Sequence, residues 1–434
     1  MNRQKLSYVF KHKLFKAAST YTISNVIRKA VPFLLLPVLT RFLSPSDYGT
    51  VATFQILLAV SIVFIGLNFH GAVGVNFFKM EKEKLKIYSG NVILLLLTNF
   101  IMVFFLLLVF KPLISRWVTF PESWLPVVAV IALAQSLCTL LLTIWQVENR
   151  ALSYGLFQIL QTVINVCASL FFVVVLGWKW QGRLTGIIVA STCFACISTI
   201  VLKKKYVTFH FHKSYAKDAL YYGIPLIPHA LGAWIITSID RIFINSMVGL
   251  SATGLYVVGY QIGMIIEFFA QSFNTAWSPF LFEKLREGRM SAKVRIVKFT
   301  YVYFIAIVVM AGILSFVSPY FLKYFVSKSF FSSYQYVIWI ALGYAASGMY
   351  YMVVNYIFFV KKTYLLAWVT FFTACVNALL NYFLIRCNGA VGAAQATTIS
   401  FFLTFVLVWA LSAKVYKMPW LSFWKISEKQ AVKE

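Results

Sequence analysis

The sequence predicts an all-α integral membrane fold, with about twelve transmembrane helices in two six-helix lobes, parallel repeats around a central cavity. Three observations predict it. Of 434 residues, 61% are hydrophobic and only 12% charged, too little charge to cover a soluble surface. Apolar segments of bilayer-crossing length, roughly 20 residues, recur twelve times. A basic stretch after the sixth of them divides the chain in half.

In order, the apolar segments lie near 18–40, 50–71, 88–110, 124–145, 154–176, 184–202, 219–246, 252–280, 299–317, 334–360, 364–385 and 390–412. Residues 1–16 are basic and mixed, which reads as a mature cytoplasmic N-terminus without a cleaved signal peptide. The expected organisation is an N-lobe over 1–202, a cytoplasmic basic linker over 203–218, and a C-lobe with a cytoplasmic tail over 219–434. The linker carries Lys203, Lys204, Lys205, His210, His212, Lys213 and Lys217. With the N-terminus inside, 28 Lys and Arg fall in inner segments and 8, Arg183 among them, in outer loops. That bias puts both termini of a multi-pass chain in the cytoplasm. It also gives the net charge of +27 a partner in anionic lipid, and excludes nucleic acid.

Six spans per half is an even number, so a repeat axis would run along the membrane normal. Leu43-Ser44 and Phe54-Gln55 around the first turn are echoed by Leu250-Ser251 and Tyr260-Gln261. The leading span of each half carries two prolines, Pro32 and Pro37 against Pro225 and Pro228; interior prolines bend helices and free carbonyls.

The seventh span also holds His229, Thr237 and an adjacent Asp240-Arg241 pair. A charge at bilayer centre costs about 2.5–3.5 kcal/mol on insertion scales, so ionisable groups there mark a site. Helical spacing sets His229, Thr237 and Asp240 near one face. The first span takes Arg28 and Lys29 inward, Arg28 by about 15 Å at 1.5 Å per residue. Two readings stand: snorkelling to the surface, or a basic lining for an anionic substrate. Further stripes are Tyr260, Glu267, Gln271 and Asn274 in span 8, and Gln135, Thr139, Thr143 and Gln146 in span 4. Span 5 adds Gln158, Gln161 and Asn165, and span 11 adds Asn377 and Asn381. Each amide stripe has a structural reading, helix–helix hydrogen bonding, and Glu267 can simply neutralise Arg241. One aqueous cavity would serve them all. The six cysteines sit in or beside apolar segments and read as packing residues. No catalytic set and no phosphate-binding loop is present.

Several turns carry a family pattern: Pro37-Val-Leu-Thr-Arg41-Phe-Leu-Ser-Pro-Ser-Asp47-Tyr48-Gly49, then Gly223-Ile-Pro225-Leu-Ile-Pro228-His229, Asp240-Arg241, Gly254-Leu-Tyr256 and Trp277-Ser-Pro279-Phe. In order and spacing the chain resembles the polysaccharide transporter branch of the MOP (multidrug/oligosaccharidyl-lipid/polysaccharide) superfamily, the Wzx-type flippases. The resemblance implies a transporter and not an enzyme. It implies translocation of undecaprenyl diphosphate-linked oligosaccharide repeat units, of O-antigen or capsule type, from inner to outer leaflet by ion-coupled alternating access. By the same resemblance Arg28 would bind the diphosphate, and charge accounting joins Lys29 and Arg241 to it. His229, Tyr260, Glu267, Gln271, Asn274 and Trp277 are expected to line the cavity and meet sugar. Asp240, Asn377 and Asn381 stand at the places of a sodium site in related lipid II flippases, with Thr397 or Thr398 beside them. Asn381 replaces an acid that would bind sodium better, so a proton moving through Asp240 or Glu267 is equally open. No other cofactor is implied. The partners are lipid-linked oligosaccharide, membrane lipid and polysaccharide assembly proteins.

Two alternatives are weighed. A MATE-like multidrug exporter of cationic drugs would favour an acidic cavity, whereas Arg28, Lys29 and Arg241 outnumber Asp240 and Glu267. A membrane polysaccharide polymerase or ligase would present large outer loops with catalytic groups, and the outer loops here are short and poor in acids.

Overall fold

A computed structural model describes residues 31, 33–362 and 364–421, without the side chains of His229 and Ala233. Arg28 and Lys29 lie outside the described residues, as does most of the first span. Every element among the described residues is helical. Ten helices are long and apolar enough to cross a membrane, or eleven if Lys213–Gly232 and Trp234–Met247 form one bent span. The shorter apolar helix Phe33–Phe42 continues the first span. The chain groups into two compact units, the first ending at Trp234 and the second beginning at Ile235.

The first unit starts with α1 (Phe33–Phe42) and α2 (Pro45–Gly66). The turn between them is written locally. Ser44 caps α2 by accepting from the Asp47 amide at 3.1 Å, while Asp47 accepts from the Ser44 amide at 2.9 Å. Pro45 fills the first helical position, where its missing N–H costs nothing. α3 (Phe69–Asn76), α4 (Lys82–Val109), α5 (Lys111–Val118) and α6 (Leu125–Val147) follow. α7 (Ala151–Leu170) ends in a wide turn at Phe171–Val175, and α8 (Lys179–Lys205) returns against it. The core is apolar and closely filled: Phe54, Ile65, Phe69, Leu125, Ile131 and Leu140 are fully buried. On the outside, Phe105 and Ile101 stay exposed, as a lipid-facing surface requires.

The basic stretch at 203–218 lies within this unit and is pinned to it. Thr208 donates its amide to the Lys86 carbonyl at 3.1 Å. Asn91, fully buried, donates to the His210 carbonyl at 2.9 Å and accepts from the His212 amide at 2.8 Å. A side chain at Gly90 would collide with the Thr208 carbonyl, so glycine permits this approach. Asp218, on α9 (Lys213–Gly223), accepts from Asn76 at 3.1 Å and from the Tyr88 hydroxyl at 2.8 Å. The Tyr206 hydroxyl donates to Glu148 at 2.7 Å. Burial first, then that carboxylate, pushes the Tyr206 phenol up to about 12, so it remains a donor at neutral pH.

The second unit holds α10 (Ile227–Met247, which begins in the first), α11 (Leu250–Gly263), α12 (Ile265–Glu287), α13 (Met290–Phe325), α14 (Tyr334–Phe359), α15 (Tyr364–Asn388) and α16 (Ala390–Val415). Pro225 sits in the tight turn Ile224–Leu226 and Pro228 in the first turn of α10, while the 50° bend of this segment falls between Gly232 and Trp234. The expected eighth span is two helices, α11 and α12, joined at Met264. α14 is the central post and packs against α11, α12, α13 and α16. Gly263 meets the Ile340 side chain closely, which brings α11 onto α14.

Candidate functional site

In the first unit α6, α7 and α8 enclose a cavity of about 260 Å³. Its lining follows helical spacing. Gln135 and Thr139 are four apart on α6, and Gln158, Gln161, Thr162 and Asn165 share one face of α7. From α8 come Ser191 and Arg183, a residue the charge count set in an outer loop. Hydropathy starts the sixth span at Leu184, yet α8 begins at Lys179. Gly182 and Gly186, one turn apart, face the end of α7: a Cβ on Gly186 would collide with Ser169, and one on Gly182 with the Phe172 backbone. Two small residues at this spacing let helices approach closely. Arg183 lies between them and reaches the neighbouring helix.

There Arg183 donates through Nη1 to Asn165 Oδ1 at 2.6 Å and to Ser169 Oγ at 2.6 Å. Both partners are neutral, and among the described residues Arg183 makes no ion pair. Gln135 Nε2 donates to Ser191 Oγ at 3.5 Å, a long bond. Gln158 Nε2 donates to the Tyr154 hydroxyl at 3.2 Å, while its buried Oε1 has no hydrogen-bond donor among the described residues. The site is a guanidinium in a shell of amides and hydroxyls, with acceptor capacity to spare.

The second unit gathers its charges differently. Asp240 is buried; one oxygen accepts from the amide of Arg241 at 2.8 Å and the other from the Tyr256 hydroxyl. The Arg241 guanidinium lies 4.6 Å from the centre of the Tyr260 ring, a cation–π contact of about 0.5–2 kcal/mol. Its Nε is buried without a hydrogen-bond acceptor. Tyr260 shares a hydrogen bond with Tyr344 at 2.6 Å between hydroxyls. Glu267 accepts from Gln271 at 2.7 Å and Tyr351 at 2.6 Å. Asn274 accepts from Asn355 at 2.9 Å, and Asn355 accepts from Ser278 at 2.7 Å. Trp277 stacks with Phe273 and Phe299 and lines a separate cavity of the same unit. His229 lies on α10, without a described side chain.

On α15 and α16 a third polar group is fully enclosed. Asn377 donates to Ser400 Oγ at 3.1 Å, and Asn381 donates to Asn377 Oδ1 at 3.1 Å. Asn381 Oδ1 and Thr397 Oγ1 are buried without hydrogen-bond partners among the described residues. Thr398 instead donates to the Trp339 carbonyl at 2.6 Å. Among the described residues no three His, Cys, Asp or Glu side chains gather as a metal site.

The sequence stripes therefore found Gln135, Thr139, Gln158, Gln161 and Asn165, but missed Arg183, Ser169 and Ser191. The paired glycines around Arg183 were the available signal. In the second unit the residues not singled out are Tyr344 and Tyr351, because a membrane tyrosine reads as apolar until its polar partner is found beside it, and Asn355, a lone amide without a stripe on its helix.

A family model described as "Polysaccharide biosynthesis protein" matches residues 14–284. A Haemophilus influenzae protein named "Uncharacterized membrane protein" is 28% identical over 358 residues, 81% of this chain and 85% of its own length. Among solved structures, the inward closed conformation of the lipid II flippase MurJ superimposes with a TM-score of 0.75 at 16% identity, covering 95% of this chain and 90% of that one. An inward-facing multidrug resistance MATE family transporter of the MOP superfamily gives 0.61 at 16% identity, covering 92% and 96%. At these identities the likeness establishes the fold. The family match runs over more than half of the chain, and the chain therefore belongs to the polysaccharide biosynthesis protein family, built on the fold these two transporters share.

Proposed function

We propose that the chain is a flippase for a lipid-linked oligosaccharide, with the cavity of the first unit receiving the phosphate-bearing part of the head group. The observation that carries this is Arg183, a guanidinium in the opening turns of a helix long enough to cross a membrane, whose hydrogen-bond partners Asn165 and Ser169 are both neutral. A diphosphate in a low-dielectric site needs cationic partners, and arginine offers two parallel donors to it. On arrival the diphosphate exchanges neutral hydrogen bonds for charge-assisted ones, which are roughly twice as strong. Gln135, Gln158 and Gln161 supply amides to sugar hydroxyls. The cavity, about 260 Å³, falls below the roughly 300–1,000 Å³ of small-molecule sites, so it takes part of a head group while the lipid tail stays in the bilayer. The lipid II flippase MurJ has this fold, and that supports the reading.

The finer assignment is an undecaprenyl diphosphate-linked repeat unit of O-antigen or capsule type, moved from the cytoplasmic to the outer leaflet by ion-coupled alternating access. Arg28, Lys29 and Arg241 stand as further phosphate partners. The coupling ion is sodium or a proton. The buried, unpartnered Asn381 Oδ1 and Thr397 Oγ1 favour sodium, a hard cation that takes oxygen ligands, with Asn377 and Asp240 completing the set.

The test is reconstitution in vesicles with a fluorescent polyprenyl diphosphate-linked oligosaccharide, followed by quenching of the outer leaflet. Wild-type protein translocates it under a sodium gradient, and Arg183→Ala does not. Equal rates would remove the first-unit cavity from the pathway. Efflux of cationic dyes without lipid translocation would make the chain an exporter instead.

A further inference from the structure

Between the adjoining ends of α12 and α13 the second unit holds another cavity, of about 540 Å³, within the roughly 300–1,000 Å³ of small-molecule sites. α12 finishes on Lys284 and Arg286, Gly288 turns the chain with φ 70°, and α13 begins at Met290. Both helices belong to membrane-crossing segments, so the charged turn between them marks the water interface.

The cavity wall is divided by chemistry. Trp277, Phe280 and Phe299 form an aromatic side, with the Trp277 and Phe299 rings 5.0 Å apart and stacked. Phe280 and Phe299 remain 47% and 44% exposed, so this side is open to the surroundings of a membrane helix, which are acyl chains. The other side carries Lys284, Arg289 and Arg295 against one carboxylate, Glu287. Lys284 takes up that carboxylate at 2.6 Å. Arg289 and Arg295 form no ion pair among the described residues. Apolar surface beside two guanidinium groups that form no ion pair among the described residues calls for an amphipathic, anionic ligand.

We propose that this cavity binds a diacyl phospholipid with an anionic headgroup, its phosphate at Arg289 and Arg295 and an acyl chain along Phe280 and Phe299. A free anion gains nothing from the aromatic wall. A zwitterionic lipid brings a cation into a site that already has an excess of them. Interfacial tryptophan and basic residues are general anchors for such headgroups, and here they line one cavity. The bound lipid ties the end of α12 to the start of α13. This site is independent of the transport assignment.

The test uses the full chain, purified in detergent and stripped of lipid. Retention of phosphatidylglycerol and phosphatidylcholine is counted by native mass spectrometry. Arg289→Gln/Arg295→Gln is compared with Arg286→Gln/Lys298→Gln, which removes equal charge from exposed neighbours outside the cavity lining. The expected result is at least tenfold preference for phosphatidylglycerol in the wild type, a tenfold loss in the first double variant and less than twofold change in the second. Should the first double variant fail to fold, each single substitution is expected to show a threefold loss. Equal losses in both double variants would reduce the effect to diffuse charge and overturn the proposal. So would equal retention of phosphatidylcholine, or displacement of the lipid by inorganic phosphate. Displacement by a polyprenyl phosphate at equal concentration would give the cavity to the carrier lipid and overturn it as well.

Discussion

Arg183 in the first unit and Arg241 in the second are both guanidinium groups on apolar, membrane-crossing candidates among the helices, and their surroundings differ in kind. Arg183 leans on an amide and a hydroxyl beside a polar cavity. Arg241 lies over an aromatic ring, one residue from a buried carboxylate, within a network of tyrosines that hydrogen-bond one another. A charge at bilayer depth is costly in either place. In the second unit the protein supplies much of the compensation itself. In the first it leaves the compensation to be completed, which is the condition for holding an anionic ligand. Buried charge alone is thus a poor guide to a substrate site; the charge of its partners is the better one.

The comparison breaks most readily at Arg183. Arg183→Ala is expected to lower vesicle translocation about 100-fold, equivalent to roughly 3 kcal/mol, the loss of one or two charge-assisted hydrogen bonds. Arg183→Lys should restore part of it, because the charge returns without the two-pronged geometry. Asn165→Asp sharpens the same point by giving Arg183 the carboxylate it lacks. Unit charges at about 4 Å and an effective dielectric near 20 interact by roughly 4 kcal/mol, and even half of that is about 30-fold in translocation. Rates unchanged by Asn165→Asp would mean that the guanidinium meets no anion.

In the second unit, Asp240→Asn keeps the acceptor for Tyr256 and removes the charge. Translocation under a sodium gradient should fall about tenfold, roughly 1.4 kcal/mol, and the ratio of rates with and without sodium should approach one. A preserved ratio would place coupling elsewhere. Arg241→Ala removes one cation–π contact, about 0.5–2 kcal/mol, and should cost about fivefold. A loss as severe as that of Arg183→Ala would erase the distinction between the two arginines.

How much of this was legible in the sequence depends on which force did the work. The crossing helices were, because hydrocarbon forces some twenty apolar residues into every crossing, and α6, α7, α15 and α16 match their apolar segments closely, whereas α13 runs nine residues before and eight beyond its own. The α7 stripe was legible too, since Gln158, Gln161 and Asn165 share a face by helical geometry alone. Arg183 was not. Hydropathy ends a span at the first charge, while the helix continues because Gly182 and Gly186 admit α7 and its polar groups satisfy the guanidinium. That is a tertiary effect with only a faint local trace. The same holds for Glu267, whose partner Tyr351 is 84 positions away.

The smallest expected effect tests the structural reading of the second unit's network. Tyr344→Phe keeps the ring and deletes one hydroxyl, leaving Tyr260 without its 2.6 Å partner. Interhelical hydrogen bonds in membranes average about 0.6 kcal/mol, because the unfolded chain in the bilayer also finds partners. The variant should therefore lose only a degree or two in melting temperature, followed in detergent, and translocate within about twofold of wild type. If Tyr344→Phe instead abolished translocation with the melting temperature unchanged, the Tyr260–Tyr344 pair would touch substrate. The second unit would then hold a working half of the site, and the contrast between the two arginines would be one of degree.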